Sequence, residues 1–213
     1  MPVTDRFDAL DFDLLSSVLD RYVAAYTLGT DVLDWYPREA QHVASLAEHT
    51  GLSVEFLAGL TAALSPVISV TGNAERVVCA ITMALDWGLG WEEAIMRLPC
   101  TPATVKTHAL TWLRTGRLGP KTGPFSRNLS GDHSGITIDT WMAKAAGCEH
   151  KAVTGRNSPM RLACEAAVAA IAETTGHPPS AVQAAIWYGT RRASGRKDTR
   201  DSLGPTFKAF MEA

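Results

Sequence analysis

Lys121 and Asp139, 18 positions apart, are the two side chains of this sequence best suited to covalent work on a sugar carbon. Lys121 ends the run Gly116-Arg117-Leu118-Gly119-Pro120-Lys121. A lysine at a helix start can simply touch phosphate. It becomes a nucleophile when burial and the positive end of a helix depress its pKa, because only the neutral amine attacks carbon. Asp139 follows the apolar run Ile136-Thr137-Ile138 and precedes Thr140-Trp141. A carboxylate there can cap the next helix. It can also stabilise a cationic, oxocarbenium-like sugar and orient a nucleophile. Either residue alone is ambiguous; the pair at this spacing points to attack on a sugar.

A Gly-rich hairpin must hold the lysine. Two helices joined by a tight turn leave the first N–H groups of the second helix unpaired, and with the helix dipole these bind phosphate without reading sequence. Gly116 and Gly119 allow close approach, Pro120 suits the start of the new helix, and Arg117, Thr122 and Arg127 stand where a DNA backbone would pass. An ordinary corner between helices with no ligand fits the same six residues.

The rest of the chain is predicted to be helical, so the fold class is all-α. Helices are expected over 11–27, from Trp35 to Glu48, and from a Ser53 cap to Leu64. Others should run from Asn73 through Leu85, from Trp91 to Leu98, and from Thr101-Pro102 to Arg114. Pro159 and Pro178-Pro179-Ser180 open two more. The Ile-Thr-Ile run is too short for a sheet. The expected organisation is one domain over 1–213 with two lobes, one built from 1–60 with 150–213 and the other, carrying the hairpin, from 61–149.

Bulk properties limit the alternatives. The chain has 213 residues, 46% hydrophobic and 20% charged, as ordinary globular proteins do. No apolar run reaches a membrane span, and the N-terminus lacks a secretory pattern, so a cytoplasmic protein without a membrane partner is expected. Cys79, Cys100, Cys148 and Cys164 are scattered, and the histidines form no H-x-x-H. No metal site is expected, and the cysteines should be small core residues. The net charge of −2 opposes nucleic-acid binding. Against that, Arg191, Arg192, Arg196, Lys197 and Arg200 face a single acid, Asp198, and would form a basic face.

The motifs resemble the helix-hairpin-helix (HhH-GPD) DNA glycosylase superfamily over about residues 60–147. In that family an apolar residue, the catalytic aspartate and then a residue such as His or Trp follow the second hairpin helix; this chain has Ile138-Asp139-Thr140-Trp141. The lysine-bearing branch, which includes 8-oxoguanine glycosylases and endonuclease III, carries its Schiff-base lysine in G-x-K, as in Gly119-Pro120-Lys121. Leu64-Ser65-Pro66 through Asn73 is similar to the segment that opens a core helix near the DNA. The hairpin itself reads T-G-R-L-G where the family has L-P-G-V-G. What the resemblance implies is a monomeric two-lobed glycosylase whose partner is DNA, with no cofactor beyond a monovalent cation at the hairpin carbonyls.

A flipped base needs a flat apolar surface and polar groups at its edge. Trp141 and Trp35 are the candidate stacking surfaces; Ser65, Asn73 and Gln183 are the candidate edge contacts, with a satisfied core amide the alternative for Gln183. The same blocks also resemble small helical proteins of actinobacterial phages. Some glycosylase-fold phage proteins attach amines or amino acids to thymine, and such a protein would act in the host cytoplasm. Base excision is the leading expectation; a base-modifying transferase and a non-catalytic DNA-binding module are the alternatives.

Overall fold

A computed structural model describes residues 11–155, 157–196 and 201–213. The fold is all-α: among these residues there are eleven α-helices and no strand. Lys197, Asp198 and Arg200 of the expected basic face lie outside the described residues. No described helix is long and apolar enough to cross a membrane.

The chain divides into two compact units, Met1–Tyr36 with Asp132–Thr199, and Pro37–Gly131 with Arg200–Ala213. The boundaries differ from the expected 60 and 149 because Asp139 and the helix after it pack with the N-terminal helix.

The first unit contains α1 (Phe12–Thr27), α8 (Thr140–Ala145), α9 (Pro159–Thr175) and α10 (Pro179–Ala193). Val18 and Tyr22 of α1, Met142 of α8, Cys164 and Val168 of α9, and Val182 and Ile186 of α10 share one core. Burying each large side chain removes roughly 1.5–3 kcal/mol of hydration cost. At six residues α8 is too short to persist alone. Tertiary contacts hold it: the Tyr22 hydroxyl donates to the Met142 carbonyl at 3.1 Å. α1 and α10 cross at two glycines, and a Cβ on Gly189 would run into the Ala25 carbonyl, one on Gly29 into that of Ala185.

The second unit holds most of α2 (Trp35–Thr50), then α3 (Val54–Leu64), α4 (Val70–Ile81), α5 (Trp91–Arg97), α6 (Ala103–Thr115), α7 (Thr122–Leu129) and α11 (Gly204–Met211). α3 is buried along almost its whole length, with Leu57, Leu60 and Leu64 fully enclosed. It packs on α4, α6 and α7, which fixes the elements on either side of the hairpin.

Several boundaries differ from the expected ones, each for a local reason. α4 begins at Val70, since Ser69 caps it by accepting the Gly72 amide at 3.1 Å, ahead of Asn73. It ends at Ile81 in a π-helical turn, Thr82–Asp86, that keeps Met83 buried while Leu85 and Trp87 face solvent. Pro102 takes the cap position of α6, with an extended backbone (φ −56°, ψ 143°). α7 starts at Thr122, one residue past Lys121. Cys100 is exposed at φ +48°, unlike the buried Cys164.

Candidate active site

Asp139 sits at the N-cap of α8, extended at φ −122° and ψ −168°. Its Oδ1 accepts the amides of Trp141 at 2.9 Å and Met142 at 3.0 Å. Its Oδ2 accepts the indole N–H of Trp187, on α10, at 3.0 Å. A carboxylate offers about four lone-pair sites. Three are occupied, so one on Oδ2 stays available in a half-buried setting.

Cations stack on the indole that bonds this carboxylate, Trp187, and on that of Trp141, two residues past it. The Arg191 guanidinium lies 4.3 Å from the Trp187 ring centre. Lys144 Nζ and the Arg196 guanidinium each lie 5.0 Å from the Trp141 ring centre. Cations over indole faces are held by the ring quadrupole. Trp141 is therefore half-exposed and already stacked, so a base using it must share or displace a cation. The sequence marks Arg191 only as part of the basic segment, and neither Trp187 nor Lys144 as a site residue. Trp187 lies 48 positions from Asp139, and only the packing of α8 on α10 joins them.

Gln183 lies one turn before Trp187 on α10. It is buried, and its Oε1 accepts the Tyr36 hydroxyl at 2.8 Å. That hydroxyl also lies 3.5 Å from Thr137 Oγ1, two residues before Asp139. Gln183 is thus an engaged core amide behind the segment that leads into Asp139. Trp35 is buried and packs edge-on against Tyr36, with ring centres 4.7 Å apart.

In the second unit, Lys121 is half-buried in helical conformation (φ −86°, ψ −51°) immediately before α7. Gly116 ends α6 in the left-handed region at φ +65°, its amide bonded to the Trp112 carbonyl at 2.7 Å. The hairpin consumes more of its own donors than the motif implies. The Thr122 hydroxyl accepts the Gly119 amide at 3.0 Å, and the Thr115 hydroxyl accepts that of Arg117 at 3.2 Å. Thr122 is buried in this role, so Gly119 and Thr122 shape the turn, while Arg117 and Arg127 present exposed side chains. Pro120 lies in the turn before Lys121.

Ser65 and Asn73 are engaged within the fold. Ser65 Oγ donates to the Ala62 carbonyl at 2.9 Å, and Asn73 Nδ2 to that of Thr61 at 3.0 Å. Between them Val67 adopts φ +61° with its side chain 84% exposed. A β-branched residue in that region is strained by roughly 1–3 kcal/mol, and nothing in the sequence marked it. Among the described residues no group of three or more His, Cys, Asp or Glu is arranged to hold a metal ion.

No curated protein and no solved structure matches the chain. One family, DUF7178, described as a family of unknown function, matches residues 15–194, a span that takes in the hairpin, Lys121, Asp139 and Trp187. The chain belongs to that family.

Proposed function

We propose that the chain is a DNA base-excision glycosylase with strand-cleaving lyase activity. Asp139 stabilises the cationic sugar, and the Lys121 amine attacks C1′ as the glycosidic C–N bond breaks and the base leaves with its electron pair and a proton. Loss of a proton from the nitrogen and ring opening then give a Schiff base. The HhH-GPD resemblance of Gly119-Pro120-Lys121 and Ile138-Asp139-Thr140-Trp141 supplies the reaction class.

The observation that carries the proposal is the setting of the Asp139 carboxylate. A plain helix cap accepts amides and needs nothing more. Here a third donor, the Trp187 indole, fixes the second oxygen and leaves one lone-pair site of it open in a half-buried setting. A half-buried carboxylate held rigid with an open lone pair can oppose a developing cation without reorganising.

The test is product analysis by mass spectrometry on duplexes carrying 8-oxoguanine, uracil, thymine glycol or hydroxymethyluracil. Release of a free base, lost in Asp139→Asn, is the expected result. An intact base of increased mass would assign the site to a base-modifying transferase instead. Binding with neither product would leave a DNA-binding module.

A further inference from the structure

α10 ends in a turn that brings the chain back over α8. Gly195 takes φ +73° and its amide bonds the Arg192 carbonyl at 2.9 Å, while the Arg196 amide bonds the Arg191 carbonyl at 3.3 Å. This paired closure needs a left-handed residue, which glycine supplies without a Cβ penalty. It fixes the direction in which Arg196 leaves the helix, and the guanidinium lands over the Trp141 ring of α8. Lys144, one turn along α8, reaches the same ring. α8 and α10 pack together within the first unit, so all of these residues belong to one compact body.

These two cations differ from their neighbour Arg192, which is committed to the fold. Arg192 donates to the Leu28 carbonyl at 2.7 Å and to Asp31 Oδ2 at 2.8 Å. Lys144 and Arg196 are exposed and have no carboxylate partner among the described residues. Both rest on a half-exposed indole whose own backbone amide is bonded to Asp139. A cation over an exposed indole is held weakly, and a nucleobase stacked on an aromatic ring is held more strongly. A guanidinium or ammonium that leaves the ring for a phosphate exchanges a quadrupole contact for a charge-assisted hydrogen bond. A strand that offers a base to the ring and phosphates to the cations therefore drives both exchanges in the same direction.

We propose that Trp141 stacks one base of a DNA strand, and that Lys144 and Arg196, which cover the ring in the free protein, move from it to the phosphates of that strand. This rests on DNA being the partner at Asp139, and it names the phosphate ligands beside that carboxylate. Seating a base and gripping its backbone become one event. A strand with no base to offer leaves the ring and the phosphates competing for the same two cations.

Fluorescence anisotropy of the full chain over a salt series tests this on two labelled duplexes, one with a bulged thymidine and one with a base-free tetrahydrofuran residue in the bulge. The slope of log affinity against log salt should fall by about one in Lys144→Gln and in Arg196→Gln, and by about two in the double variant. Trp141→Ala should weaken binding of the thymidine bulge by about fivefold or more, and leave the base-free bulge bound as tightly or tighter. Unfolding curves verify the folding of each variant; Trp141→Leu, which keeps apolar bulk without a ring, gives the same pattern should the alanine variant unfold. An unchanged slope in either cation variant, equal losses on the two bulges without the Trp141 ring, or no binding of either duplex overturns the proposal. Release of a free base is a separate readout. Slopes that fall without product would reject excision alone, and product with unchanged slopes would reject this exchange alone.

Discussion

At the scale of single residues, the hydrogen bond from Trp187 to Asp139 distinguishes this carboxylate from a simple cap. Asp139→Asn keeps an oxygen for the two α8 amides, but its amide nitrogen then faces the Trp187 N–H, donor against donor. Leaving such a group unsatisfied costs about 1–3 kcal/mol. Urea unfolding of Asp139→Asn should show a loss of that size, and Trp187→Phe in the same background should recover part of it. Additive losses in this double-mutant cycle would mean the two residues are not coupled. Val67 makes the opposite case. Its left-handed backbone is strained for a β-branched residue and its side chain meets mostly solvent. Val67→Gly relieves that strain against an entropic cost of about 0.5–1 kcal/mol, so stability should hold or rise by about 1 kcal/mol.

At the scale of elements, the close crossing of α1 and α10 positions Trp187. Gly189→Ala forces a methyl into the Ala25 carbonyl, and backbone cannot yield as a flexible side chain does. Overpacking of this kind costs about 1–3 kcal/mol or more. Thermal unfolding should show the loss, whereas Ala at Gly51, where a Cβ meets nothing, should register only its left-handed backbone. The helices themselves were largely legible because local chemistry marks their ends. Ser53 and Ser158 accept the amides of Phe56 and Arg161, and Pro159 and Pro179 begin α9 and α10 as expected. The π turn after Ile81 was not legible, since it is settled by what Met83 must reach. α11 was missed although Pro205 followed by Phe207, Phe210 and Met211 has helical spacing. The site was legible only as a pair of candidates. Asp139 could be placed at a helix mouth from its neighbours, but the indole that anchors it and the threonine that occupies the Gly119 amide come from folding.

At the scale of the whole molecule, burial sets an alkaline limit on stability. Burial pushes the Cys164 thiol up to about 11 from its ordinary value near 9, partly offset by the neighbouring Tyr22 hydroxyl, and burial likewise raises the Tyr22 hydroxyl. A pKa raised on folding contributes stability that is complete below the unfolded value and lost as pH climbs through the folded one. The Cys164 contribution should therefore disappear between about pH 9 and 11, a loss of about 3 kcal/mol. Urea midpoints followed across that range should fall for the native chain and fall less steeply for Cys164→Ala. The function proposed for the molecule turns on one covalent bond. Borohydride reduction of the chain with duplexes bearing 8-oxoguanine, uracil, thymine glycol, hydroxymethyluracil or an abasic site would capture a Schiff base as a stable protein–DNA adduct. Expected is an adduct on at least one duplex, absent in Lys121→Gln while DNA binding is retained. An adduct that survives in Lys121→Gln, or none on any duplex with binding intact, would contradict the lysine mechanism.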